Sequence, residues 1–110
     1  MQNNHFKHRF PMTPNMKRKI DRAAAALKTY GAREVYIFGS LAEGTFTRHS
    51  DVDMAVTGLP PGVFFKALGH VHEILRRPLD LIDLDDGSLF SEYLKKEGLL
   101  LHVDQIEKRN

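Results

Sequence analysis

Two short apolar runs, joined by a Gly-Ser pair and a loop that ends in two aspartates, constrain this chain more than anything else in it. Glu34-Val35-Tyr36-Ile37-Phe38 is rich in β-branched and aromatic side chains and reads as a buried strand. Gly39-Ser40 ends it, and Asp51-Val52-Asp53 opens a second strand over residues 52–57. Only a loop and one helical turn fit between them, which lets the two strands pair antiparallel.

The flanking segments complete a small α/β domain. Thr13-Pro14 is a helix start, with Thr as N-cap and Pro at the first helical position. Met16, Ile20, Ala23, Ala24 and Leu27 then recur at helical spacing, and Gly31 ends the helix. Pro60-Pro61 starts a second helix, with Phe64, Leu68, Val71 and Leu75 on its inner face, and Pro78 closes it. Leu79 to Leu84 is a third strand, and Asp86-Gly87-Ser88 caps a third helix through about Lys96. Gly98 stops that helix, and Leu99 to Val103 adds a short edge strand. The expected order is α-β-β-α-β-α-(β), with a mixed sheet packed against helices. The domain spans 13–103, between a flexible lead-in at 1–12 and a polar tail at 104–110.

The 110 residues suffice for one core, and 42% of them are apolar. No apolar run approaches the roughly 20 residues of a membrane span. The N-terminus, Met1-Gln2-Asn3-Asn4-His5, lacks the apolar centre of a signal peptide, and cysteine is absent. A cytoplasmic protein without membrane association is expected. The net charge is only +2, and the basic residues fall in small groups such as Lys17-Arg18-Lys19, Arg76-Arg77 and Lys95-Lys96. Solvated helix faces account for these groups; a basic rim for an anionic partner is the sharper alternative.

The chemistry lies in three places. Glycine at a strand end lets a ligand approach the backbone, and the amides after Ser40 would face an anion. Asp51 and Asp53, two apart, project to one side of a strand. Two like charges there call for a cation between them, and Mg²⁺ suits oxygen ligands beside phosphates. Asp80 interrupts the apolar third strand, where a lone charge is costly unless paired or metal-bound. Asp83 has the opposite parity, so only one of the two can join the site. Asp80 is favoured because Ile82 and Leu84 continue its face. Together the three carboxylates could hold two divalent cations roughly 3.5–4 Å apart.

Residues 39–56, Gly-Ser-Leu-Ala-Glu-Gly-Thr-Phe-Thr-Arg-His-Ser-Asp-Val-Asp-Met-Ala-Val, resemble the signature of the DNA polymerase β-like nucleotidyltransferases. They are most similar to the minimal (MNT) members, with likeness extending over roughly residues 15–103. The resemblance implies an NTP donor such as ATP, Mg²⁺, and nucleotidyl transfer to a hydroxyl of a protein or RNA acceptor. It assigns phosphate to Gly39 and Ser40, metal to Asp51, Asp53 and Asp80, and proton acceptance to Asp80. It also implies a HEPN-domain toxin as partner, with this chain as antitoxin. Glu43 departs from the family, whose members often carry a basic residue there, and Arg48 in the same loop is the candidate compensation. A binding module that neutralises the toxin without chemistry, and an NTP sensor, are the rival readings. The residues leave a homo-oligomer open.

Other polar and aromatic residues read as structural. His70 and His72 point about 200° apart on a helix and cannot share a metal. His49 is a solvated loop residue, one ring of Phe64-Phe65 is left over from the core, and Tyr93 packs on its helix.

Overall fold

The computed structural model describes residues 12–108, with side chains through Ile106. The expected lead-in therefore lies outside the described residues except for Met12, which packs against the core. Helix α1 spans Pro14–Thr29 and begins as its sequence requires: Thr13 Oγ1 accepts the Met16 amide at 3.1 Å. Its apolar spacing buries Met16, Ile20, Ala23, Ala24 and Leu27 on one stripe. Strand β1 (Glu34–Phe38) follows, then a single helical turn α2 (Gly39–Glu43) and strand β2 (Val52–Thr57). A 3₁₀ turn at Pro61–Val63 leads into α3 (Phe64–Leu75), which buries Ala67, Val71 and Leu75. Strand β3 (Leu79–Asp83), helix α4 (Leu89–Lys96) and strand β4 (Leu101–His102) complete the order.

The four strands form one mixed sheet in the order β3-β2-β1-β4. β1 is antiparallel to β2 and to β4, whereas β2 and β3 run parallel, joined through α3. Register and parity divide the side chains between two faces. Val35, Ile37, Val52, Met54, Val56, Leu81 and Leu101 point to one face and pack with α1 and α3 in the main core. Phe38, Ala55 and Leu84 belong to a smaller cluster on the other face, closed by Leu94 of α4. The result is three layers, with one face of the sheet more completely covered than the other.

Three boundaries differ from the sequence expectation. α3 ends at Leu75 because Arg76 adopts a left-handed cap (φ 55°), two residues ahead of Pro78. The closing strand contracts from 99–103 to Leu101–His102, since Leu99 and Leu100 pack sideways on the small cluster. Val103–Lys108, most of it read as tail, forms a 3₁₀ helix that buries Val103 and packs Ile106 on the main core. No helix among the described residues is long and apolar enough to cross a membrane.

Candidate active site

The carboxylates meet at one end of the sheet because of register. β1 and β2 place Phe38 opposite Asp53, and β2 and β3 place Asp53 opposite Asp80. Directly opposed residues share a face, so Asp53 and Asp80 project together from the face that α4 only partly covers. Ile82 and Leu84 lie on that same face, as the parity of Asp80 requires. Asp83 is opposite Val56, on the other face. Its Oδ1 is occupied by the Asp85 amide at 2.9 Å. Asp51 lies one residue before β2, exposed at the strand entrance.

Asp53 feels the charge of both its neighbours. Burial first, then the charge of Asp80, then that of Asp51, push the Asp53 carboxyl up to about 6. A half-buried carboxylate with two like charges nearby is a strained arrangement in the absence of a cation.

Gly39 bounds the same space. Its φ is +66°, a conformation that L side chains rarely adopt. A Cβ there would overlap Asp53 Oδ2 and come within 3.2 Å of its Cγ. The absent side chain is therefore what lets the Asp53 carboxylate lie against the β1–α2 turn. Ser40 is the second residue of α2, half-buried beside it. No side chain caps this turn, because its N-cap residue is Phe38. The first-turn amides are left available to an anion.

The remaining sequence candidates are less engaged. Arg48 and His49 are exposed in the loop before Asp51. Among the described residues the Arg48 guanidinium has no partner, although its carbonyl does. Glu43 is exposed at the end of α2. His70 reaches Tyr30 across α1 and α3 (3.3 Å), Phe65 is 79% exposed and Tyr93 is 53% exposed. Sequence reasoning missed Phe46 and Arg77, which brace the loop; the Arg76-Arg77 pair read only as a small basic group. It also missed a second polar group on the open face. There Glu34 Oε1 receives the Tyr36 hydroxyl at 2.9 Å and meets His102 Nε2 at 3.0 Å. The i, i+2 spacing of Glu34 and Tyr36 was the available clue.

The donor set suits a divalent cation: carboxylate oxygens only, one of them destabilised by its neighbours, in a space kept clear by Gly39. Among the described residues no three His, Asp or Glu side chains are gathered tightly enough to hold a metal unaided. The arrangement is a register pair, Asp53 and Asp80, with Asp51 at its entrance.

The family profile described as "Polymerase beta, Nucleotidyltransferase" matches residues 22–106. The chain belongs to that family. No curated protein matches this nucleotidyltransferase. Solved structures share its fold. One is a toxin–antitoxin crystallised with AMP-PNP: TM-score 0.61, 22% identity, 84% of this chain and 79% of that one covered. A second is the MntA-HepT toxin–antitoxin: TM-score 0.58, 17% identity, with 84% and 79% covered. A third is a mutant MntA-HpeT toxin–antitoxin in which two aspartates, two positions apart, are glutamate. It matches with TM-score 0.61 and 17% identity over 81% of this chain and 78% of that one. At these identities the likeness speaks to the fold.

Proposed function

We propose that this nucleotidyltransferase moves a nucleoside monophosphate, AMP from ATP, to a hydroxyl of a protein or RNA acceptor, and serves as the antitoxin of a HEPN-type toxin. The observation that carries the catalytic reading is the register pairing of Asp53 with Asp80 beside the open Gly39. Family membership supports the reaction class. The toxin–antitoxin neighbours, one with AMP-PNP, support the partner and the nucleotide. Asp51 and Asp53 are also two positions apart, like the substituted pair in the mutant neighbour.

Each residue then has a role that follows from its place. The backbone at Gly39 and Ser40 and the first amides of α2 receive phosphate oxygens. Asp51, Asp53 and Asp80 would hold Mg²⁺, which when bound would neutralise the carboxylates and the triphosphate and lower the pKa of an acceptor hydroxyl. The acceptor oxygen bonds to the α-phosphorus, and the bond from that phosphorus to the pyrophosphate oxygen breaks. The hydroxyl proton passes to Asp80, which is exposed at the entrance of β3 and open to an incoming group. Asp53, half-buried, stays as the fixed ligand. The chain supplies orientation and charge, with no covalent intermediate. The deciding experiment incubates the full chain with α-labelled ATP, Mg²⁺ and a HEPN-domain toxin from the same genome. Label transferred by the wild type and lost with Asp53→Asn supports the reading; equal transfer by both removes it.

A second reading is favoured by the exposed apolar side chains of α4. Leu89 is 89% exposed and Phe90 46%, and Tyr93 lies on the same helix. Such a cluster suits a protein partner that covers the open face. Neutralisation by complex formation alone would survive the Asp51/Asp53 double substitution and fail with Phe90→Asp.

A further inference from the structure

The loop that delivers Asp51 contains three exposed residues in a row, Thr47, Arg48 and His49, and sequence alone gives no reason for it to hold one shape. Part of its order is internal. Ser50 Oγ accepts the Thr47 amide at 2.9 Å, and the Ser50 amide returns to the Thr47 carbonyl at 3.0 Å. The rest comes from one side chain across the sheet edge. Arg77 Nη2 donates to the carbonyls of Arg48 and Ser50, both at 2.9 Å, and to that of Thr47 at 3.3 Å. Its guanidinium carbon lies 4.6 Å from the centre of the Phe46 ring, which itself packs against the main core.

The backbone around Arg77 is arranged to make this reach. The left-handed turn at Arg76 ends α3, and the Pro78 carbonyl accepts the Val52 amide at 2.9 Å, which lays residues 76–79 alongside the start of β2. Within the described residues Arg77 gives its Nη2 donors to carbonyls, leaves Nε buried without a hydrogen-bond partner, and pairs with no carboxylate. Three carbonyl dipoles thus converge on one planar cation, and the last belongs to Ser50, the residue bonded to Asp51. Fixing that carbonyl fixes the peptide plane from which Asp51 departs.

We infer that Arg77 is a positioning residue for the carboxylate site: stacked on Phe46, it clamps the 47–50 loop so that Asp51 is presented beside Asp53. The inference rests on the reading of Asp51 and Asp53 as cation ligands. Lysine keeps the charge but lacks the planar fork, so it cannot replace the clamp. Loss of a group that orients a ligand typically weakens metal affinity by about 10-fold to 100-fold.

The test uses the full chain as wild type, Arg77→Lys, Arg77→Met, Asp53→Asn, and Val71→Ala as a control destabilised in the core. Two quantities are read: Mn²⁺ affinity by titration, and amide exchange at Ser50 and Val52. Clamping predicts that both Arg77 variants exchange faster at these amides and bind Mn²⁺ about 10-fold more weakly. Val71→Ala should melt earlier with Mn²⁺ affinity unchanged. Wild-type exchange at Ser50 and Val52 in both Arg77 variants overturns the clamp. Faster exchange with undiminished Mn²⁺ affinity overturns its role in presenting Asp51. Mn²⁺ binding that is insensitive to Asp53→Asn sinks the carboxylate reading instead, and the exchange result still decides whether Arg77 orders the loop.

Discussion

The two faces of the sheet are built from the same strands, residue by alternating residue, and have opposite physics. One face is closed by α1 and α3 over Val35, Ile37, Val52, Met54 and Val56, each almost or wholly excluded from water. The other carries Phe38, Ala55 and Leu84 under α4, with Asp53 and Asp80 at one end and the Glu34, Tyr36 and His102 group at another. The sealed face sets register, because a one-residue slip would turn its whole apolar set outward. The open face receives that register for free and uses it to oppose two carboxylates. On the proposed reading, stability and chemistry are thus divided by parity within each strand, and a substitution should show which side it belongs to.

The sharpest way to break this division is Asp53→Asn. On the proposed reading, transfer of labelled nucleotide should fall by a factor on the order of a thousand, since the substitution would remove a cation ligand worth several kcal/mol. Its stability effect should run the other way. The folded Asp53 carboxyl titrates near 6, above its ordinary 3.8. The folded protein therefore holds this proton more tightly than the unfolded chain, and stability contributed by Asp53 declines as pH rises from about 4 to about 6. After allowance for solvent screening the cost at neutral pH is about 1–2 kcal/mol. Without added metal, Asp53→Asn should gain that amount at pH 7 and nothing at pH 3.5 in thermal or urea unfolding. A wild type equally stable across that window would contradict the strained pair.

On the sealed face the expected signature is pure destabilisation. Ile37→Ala removes a side chain with no exposure between β2 and the helices, and should cost about 2–5 kcal/mol in urea unfolding. Nucleotide affinity measured well below the melting transition should be unchanged. Gly39→Ala tests the seam between the faces. It forces a Cβ into the left-handed region and against Asp53, at a cost of about 1–3 kcal/mol. Because Asp53 must move, Mn²⁺ binding should weaken too, which Ile37→Ala should not do. The smallest effect belongs to the exposed Lys95–Glu92 pair at 3.1 Å, whose loss should change stability by less than about 1 kcal/mol and transfer not at all.

The sheet and its site differ in how far the sequence reveals them. The order of elements, the antiparallel β1–β2 pair and the opposite faces of Asp80 and Asp83 follow from period-two alternation and turn residues, which act locally. The same holds for Thr13 and Ser88 as helix caps. What resists reading depends on contacts distant in the chain. Nothing near Arg77 announces that it will grip carbonyls some thirty residues earlier. Nothing near Ile106 announces that a polar-looking tail will turn back onto the core. Leu99 and Leu100 look like strand but pack on the α4 cluster, because the Leu99 amide is taken by the Leu94 carbonyl at the end of α4 (3.1 Å) and not by the sheet.

The parallel β2–β3 pairing has a consequence for how the protein is made. Asp53 gains its neighbour Asp80 only after α3 has formed and carried the chain back across the sheet. Non-local pairing of this kind is slow relative to hairpin closure. A nascent or truncated chain ending before β3 would display the Gly-Ser turn and the first two aspartates without Asp80, so on the proposed reading its chemistry would wait for the completed domain.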